Sequence, residues 1–221
     1  MSVLLKNVLA CDGGMERARY MSVLVEDGRI ASIGDPETSL TADEVVDGKG
    51  KIGLLPGFVN THTHAAMSLL RGIGEEAPLM EWLKEKIWPA EAKLKREHVY
   101  WGTYLALLEM ASNGITAFGD MYFFMDAVVE ASLEMGMKCG VSRGIVGPEK
   151  WKLDEGLQLA DAWKGSEEFV TVQLAPHAPY TVPLPFLKEI VDAAKDRDLG
   201  LHFHFLEAEW ETGYIRDEMK M

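Results

Sequence analysis

Apolar positions change their spacing near residue 54. Before it the chain reads as short strands. Val3-Leu4-Leu5 and Val8-Leu9-Ala10 are brief apolar runs, and residues 22–26 and 29–33 flank Asp27-Gly28. Asp-Gly between two such runs signals a two-residue hairpin, because both central residues of that turn need positive φ. The stretch 1–55 therefore looks like part of a small β-sandwich. From Leu54 onward, strand-length apolar runs alternate with helix-length stretches, which argues for an α/β domain with a parallel sheet. The expected strands are one that starts at Leu54 and leads into His62 and His64, then 115–120, 137–145, 169–175 and 201–206. The expected helices begin with 79–87, opened by Pro78 and interrupted by Pro89, and continue with 96–112, closed by Asn113-Gly114. Further helices are expected at 125–135, closed by Gly136, at 153–163, at 184–198, and in the polar tail after Glu207. Within 96–112, Trp101, Tyr104, Leu105, Leu108 and Ala111 keep helical spacing.

Composition narrows the class. The 221 residues, 48% hydrophobic, suffice for a sizeable core and one or two domains. A net charge of -13 would repel phosphate backbones and argues against nucleic acid, while an uncharged nucleoside stays admissible. No apolar run reaches the length of a membrane span, and the first residues lack a signal-peptide pattern. Cys11 and Cys139 lie far apart, so no disulfide framework is expected and a reducing cytoplasm fits.

The candidate chemistry lies in histidines. Of His62, His64, His98, His177, His202 and His204, all but His98 fall on or just after expected strands, where parallel barrels build their sites. His98, near the start of the long helix, reads as a surface residue. Side chains alternate along a strand, so His62 and His64 point the same way, as do His202 and His204. Such pairs either grip a metal ion or bond to backbone carbonyls, and the residues alone leave both open. Glu207 is either a helix-start acid or a proton-transferring carboxylate. Arg143, a charge within an apolar run, needs a partner if buried. Phosphate-cradling glycine loops and the Gly-x-Ser-x-Gly elbow do not occur.

Residues 53–64, Gly-Leu-Leu-Pro-Gly-Phe-Val-Asn-Thr-His-Thr-His, resemble the amidohydrolase superfamily. The likeness continues through Ala65 to Gly72, Ala175 to Tyr180 and His202-Phe-His-Phe-Leu-Glu207. It points to the branch of 5-methylthioadenosine/S-adenosylhomocysteine deaminases and related chlorohydrolases. The resemblance implies that 56–221 is the first part of a metal-dependent (β/α)8 barrel, about five βα units, preceded by part of a sandwich in 1–55. It implies His62, His64 and His204 as metal ligands, with His202 one layer deeper in a structural role. Glu207 would shuttle protons. Glu91 would bind ribose hydroxyls, His177 the purine or ribose, and Arg143 the polar tail, with Trp82 as an apolar wall. The loop after Arg143 carries Lys150 and Lys152 where S-adenosylhomocysteine-binding members carry an arginine.

The implied cofactor is one divalent ion. Zinc suits imidazole ligands with an open position, and iron is the alternative. The implied reaction is hydrolytic deamination of an adenine nucleoside thioether to the inosine analogue and ammonia. Alternatives are a guanine deaminase, a triazine chlorohydrolase, or a non-catalytic fragment that associates with a partner chain. A complete barrel takes about 250 residues. The expectation is thus that the chain is truncated, is inactive alone, and forms a homo-oligomer through its open barrel edge.

Overall fold

The computed structural model describes residues 1–11, 17–74, 76–166 and 168–220. Two compact units divide the chain, Met1–Gly57 and Phe58–Met221.

In the first unit, β1 (Ser2–Ala10), β2 (Arg19–Glu26), β3 (Arg29–Gly34) and β4 (Glu44–Asp47) form a sheet in the order β3-β2-β1-β4, and β5 (Gly53–Leu54) pairs with β1. The β2–β3 hairpin turns at Asp27 and Gly28, both at positive φ, as its Asp-Gly pair requires. Ala10, Met21 and Val23 are its buried core, with Leu5, Val25 and Leu54 against them. Leu54 thus belongs to this sheet. The strand carrying the first histidines starts only at Phe58, after the break at Pro56-Gly57.

The second unit is a curled parallel sheet forming half of a barrel. Its order is β10-β9-β8-β7-β6, so each strand lies beside its neighbour in sequence. The strands are β6 (Phe58–Thr63), β7 (Ile115–Tyr122), β8 (Lys138–Ile145), β9 (Val170–Pro176) and β10 (Gly200–Leu201). Short helices α1 (Leu79–Glu81) and α2 (Trp88–Glu91) precede α3 (Arg96–Ser112), α4 (Met125–Met135), α5 (Lys150–Ala162), α6 (Leu184–Asp196) and α7 (Glu211–Asp217). Val99, Leu107, Val128, Phe118 and Val141 fill the space between α3, α4 and the sheet; Leu153, Leu174 and Ile190 do so further along.

Three expectations change. Pro89 does not interrupt its helix. Residues Trp82–Ile87 widen into a π-helical turn, in which the Trp88 N–H reaches Leu83 O, and α2 continues beyond it. The wider turn gives room to a proline ring that would collide with the carbonyl one α-turn back. In α3 the buried side chains include Val99, Thr103, Ala106, Leu107 and Met110, whereas Trp101, Leu105 and Leu108 are exposed. Gly102 lies on the inward face, where the helix comes close against Ala66, and the stripe of Trp101, Leu105 and Leu108 faces out. Finally, β10 pairs over only two residues. Beyond them the chain bends through Leu206, a non-glycine residue at φ +57.

Candidate functional site

The candidate residues gather where the strands end. His62 lies on β6 and His64 one residue past it. Tyr122 and Arg143 are paired in register near the ends of β7 and β8. His177 follows β9, and His202, His204 and Glu207 follow β10.

Asp120, fully buried on β7, fixes the turn after β6. Its Oδ1 accepts from the Thr63 hydroxyl at 2.6 Å and the Ala65 N–H at 2.7 Å. Burial pushes its carboxyl up to about 6, against the pull of those two bonds. Gly119 keeps β7 close to β6, because a Cβ there would lie 2.7 Å from Thr61 O. His204 is anchored twice on one carbonyl, its N–H reaching His177 O at 2.9 Å and its Nδ1 the same oxygen at 3.0 Å. Past it, the buried Glu211 carboxylate accepts from the Leu206 and Ala208 N–H groups and holds the turn that presents Glu207.

His62, His64 and His204 each offer a ring nitrogen within 4.8 Å of the others. The hydrogen bonds fix two tautomers. A backbone carbonyl only accepts, so His64 Nδ1–H donates to Met121 O at 2.6 Å and His204 Nδ1–H to His177 O. Both Nε2 atoms then carry lone pairs, yet they face each other across 3.2 Å. Two acceptors at that distance repel unless a cation lies between or beside them, so the donor set fits a metal ion. Burial, with the neighbouring imidazoles, lowers His62 to about 4 and also lowers His64. Neutral imidazoles are the form that binds metals.

His64 and His204 open onto a cavity of about 240 Å³. Leu79, Trp82, Leu83 and Ile87 form an apolar wall, and the Trp82 indole N–H donates to Ile73 O, leaving its ring to the cavity. Glu91 and Tyr122 also line it. Burial raises the pKa of both, the Glu91 charge raises the phenol further, and the phenol limits the shift of the carboxyl. His177 bonds Thr181 Oγ1 at 3.0 Å, and burial and nearby imidazoles push it to about 3, so it is neutral at neutral pH. Glu207 lines the same cavity. Arg143 borders it but is engaged: Nε reaches Glu155 at 2.7 Å, NH1 bonds Gly144 O, and the guanidinium lies over the Trp151 ring.

Sequence reading missed several residues. For His202, read as a structural residue one layer deeper, the partner was not foreseen: its Nε2 lies 2.7 Å from His62 Nδ1. Tyr180 lines the cavity with a buried hydroxyl that has no hydrogen-bond partner among the described residues. Glu211 read as one more acid of a polar tail, and its spacing from Glu207 was the only signal. His98 serves α3, accepting the Lys95 N–H at 2.9 Å.

Known proteins match both sequence and fold. A model of the amidohydrolase family matches residues 54–220. A 5-methylthioadenosine/S-adenosylhomocysteine deaminase of Dictyoglomus turgidum is 42% identical over 221 residues, which cover 98% of this chain and 51% of that protein. A 5′-deoxyadenosine deaminase of Methanosarcina mazei is 42% identical over 219 residues, 95% of this chain and 50% of that protein. A zinc-bound adenosine deaminase structure from Xanthomonas campestris superposes with a TM-score of 0.87 at 28% identity, over 97% of this chain and 52% of that one. The chain spans about half the length of the curated relatives it matches. On the family match and the half-barrel that carries these histidines, the chain belongs to the amidohydrolase family.

Proposed function

We propose that this chain carries the metal-binding and nucleoside-binding half of a deaminase acting on an adenine nucleoside with a 5′ thioether, methylthioadenosine or S-adenosylhomocysteine. The observation that carries the reading is the pair of facing Nε2 lone pairs on His64 and His204, with His62 beside them, at the edge of a cavity that has a half-buried carboxylate and an apolar wall. Residues 1–55 are read as part of a β-sandwich and 56–221 as the barrel segment.

His62, His64 and His204 would hold one divalent ion, zinc by the preference of imidazole donors, with iron as the alternative. A bound ion of this kind supplies a water acidified towards neutral pH. Glu207, which lines the cavity, would hold the proton released there and deliver it to the ring nitrogen or the leaving amine. Glu91 is half-buried, short of donors, and suited to accept both hydrogens of a vicinal ribose diol. His177, neutral and held by Thr181, bonds the purine or ribose. The wall at Trp82 receives the thioether and keeps water from it. Arg143, tied to Glu155 and Trp151, reaches the polar tail only by exchanging those contacts.

The closest rival reactions, on guanine or a chlorotriazine, need no ribose contact, so Glu91 speaks for the nucleoside. Zinc-loaded protein titrated calorimetrically with methylthioadenosine, guanine and a chlorotriazine, beside an ammonia assay, tests the choice. Saturable binding of the nucleoside, weakened by Glu91→Ala, is expected. Tighter binding of guanine or the triazine would overturn it.

A further inference from the structure

His64 and His204 each owe their tautomer to a backbone carbonyl. At His62 another imidazole holds that place. His62 Nδ1 lies 2.7 Å from His202 Nε2, so one nitrogen donates and the other accepts. The direction can be read from the far end of the chain of contacts. Ser142, fully buried, has its hydroxyl 2.8 Å from Asp120 O. A carbonyl only accepts, so the single hydroxyl proton is spent there. The Oγ lone pairs then face His202 Nδ1 at 3.1 Å, and that nitrogen must carry the imidazole proton. His202 Nε2 is left as an acceptor. His62 Nδ1–H donates to it, and His62 Nε2 keeps a free lone pair.

We propose that His202 is a positioning residue that sets the tautomer and ring orientation of His62, through the chain Asp120 C=O, Ser142, His202, His62. Asp120 thereby serves two histidines. Its side chain fixes the turn at His64 from both sides, through Thr63 and Ala65, and its carbonyl starts the chain that ends at His62. Partners of this kind orient a ligand and raise its basicity.

The inference rests on the reading of His62, His64 and His204 as ligands, and the two fail separately. In the metal-free chain with ¹⁵N-labelled histidine, long-range ¹H–¹⁵N correlations should show His62 protonated at Nδ1. Zinc affinity, measured by chelator competition, should fall about 10–100-fold in His202→Leu and Ser142→Ala and stay within about threefold in His202→Gln, whose amide oxygen replaces the Nε2 acceptor. A His62 protonated at Nε2, or unchanged zinc affinity in a folded His202→Leu, would overturn this inference alone. No zinc binding by the unmodified chain would overturn the ligand reading and the inference with it. Should His202→Leu fail to fold, the tautomer in the unmodified protein and the Gln variant decide.

Discussion

Replacing Gly102 by Ala sets two effects of known size against each other. Gly102 lies within α3, where the change from glycine to alanine stabilises a helix by about 1 kcal/mol. The new Cβ, however, would lie 2.5 Å from the Ala66 carbonyl oxygen and 3.0 Å from Ala66 Cα and Leu69 Cγ. Carbon–oxygen contacts settle near ~3.3 Å or more, so α3 and the 3₁₀ segment Ala65–Leu70 must part by close to ~1 Å. Two of the colliding atoms are main chain and cannot turn aside. Ala66 is fully buried and Ser68 Oγ donates to Gly102 O at 2.6 Å, so the shift also strains that bond. Overpacking costs about 1–3 kcal/mol, and the rigid partners place this case in the upper part. The expected net loss is about 1–2 kcal/mol, or a midpoint lower by about 2–8 °C. Urea unfolding followed by tryptophan fluorescence and far-ultraviolet circular dichroism measures it. Gly213→Ala in α7 is the control, since a Cβ there meets nothing closer than Asp217 Oδ2 at 4.0 Å; it should gain up to ~1 kcal/mol. Gly102→Ala as stable as the parent, with the control behaving as stated, would refute the argument. Ala65 directly follows His64, so the same variant should also bind zinc more weakly.

Other outcomes follow from buried acids, from the ligand set and from exposed apolar side chains. Asp120 has a folded pKa of about 6 against an ordinary 3.8, so the folded state holds the proton more tightly. Its contribution is present below about pH 4 and lost as pH rises through about 6, by at most about 3 kcal/mol. In metal-free protein, Asp120→Asn should therefore gain stability relative to the parent between pH 4 and 7; a difference independent of pH would count against this. Glu211→Ala strips the Leu206 and Ala208 amides of their acceptor and should cost about 1–3 kcal/mol, with Glu211→Gln intermediate, by denaturant unfolding. Zinc at about 100 times its dissociation constant should stabilise the chain by about 2.7 kcal/mol, and EDTA should reverse the rise in midpoint. Phe58, Val59 and Phe205 are each about 60% exposed in the half-barrel unit, so light scattering of the 221-residue chain should report association. A monodisperse monomer would contradict that.

No helix of the described residues is long and apolar enough to cross a membrane, in keeping with the absence of such a run in the sequence. What the sequence determined by itself was local. The Asp27-Gly28 turn, the helices ending at Asn113 and Gly136, and the alternation of strand and helix follow from φ preferences and capping within a few residues. The parallel sheet followed from that alternation, because parallel neighbours need a crossover between them, and its curling into part of a barrel was implied by the family resemblance. Tertiary structure decided whatever depended on distant partners. The inward face of α3 is the one that carries Gly102, where the helix comes against Ala66, and with it Leu107 and Met110, while Leu105 and Leu108 face out. Leu54 joined the first sheet because β1 offered it a partner. The resemblance implied a structural role for His202 without a partner, and the fold sets it against His62, 140 positions away in the chain. Which nitrogen of each imidazole holds its proton depends on Met121 O, His177 O and Ser142 Oγ. A tautomer is set by the partner that the ring meets, and only the fold brings that partner within hydrogen-bond reach.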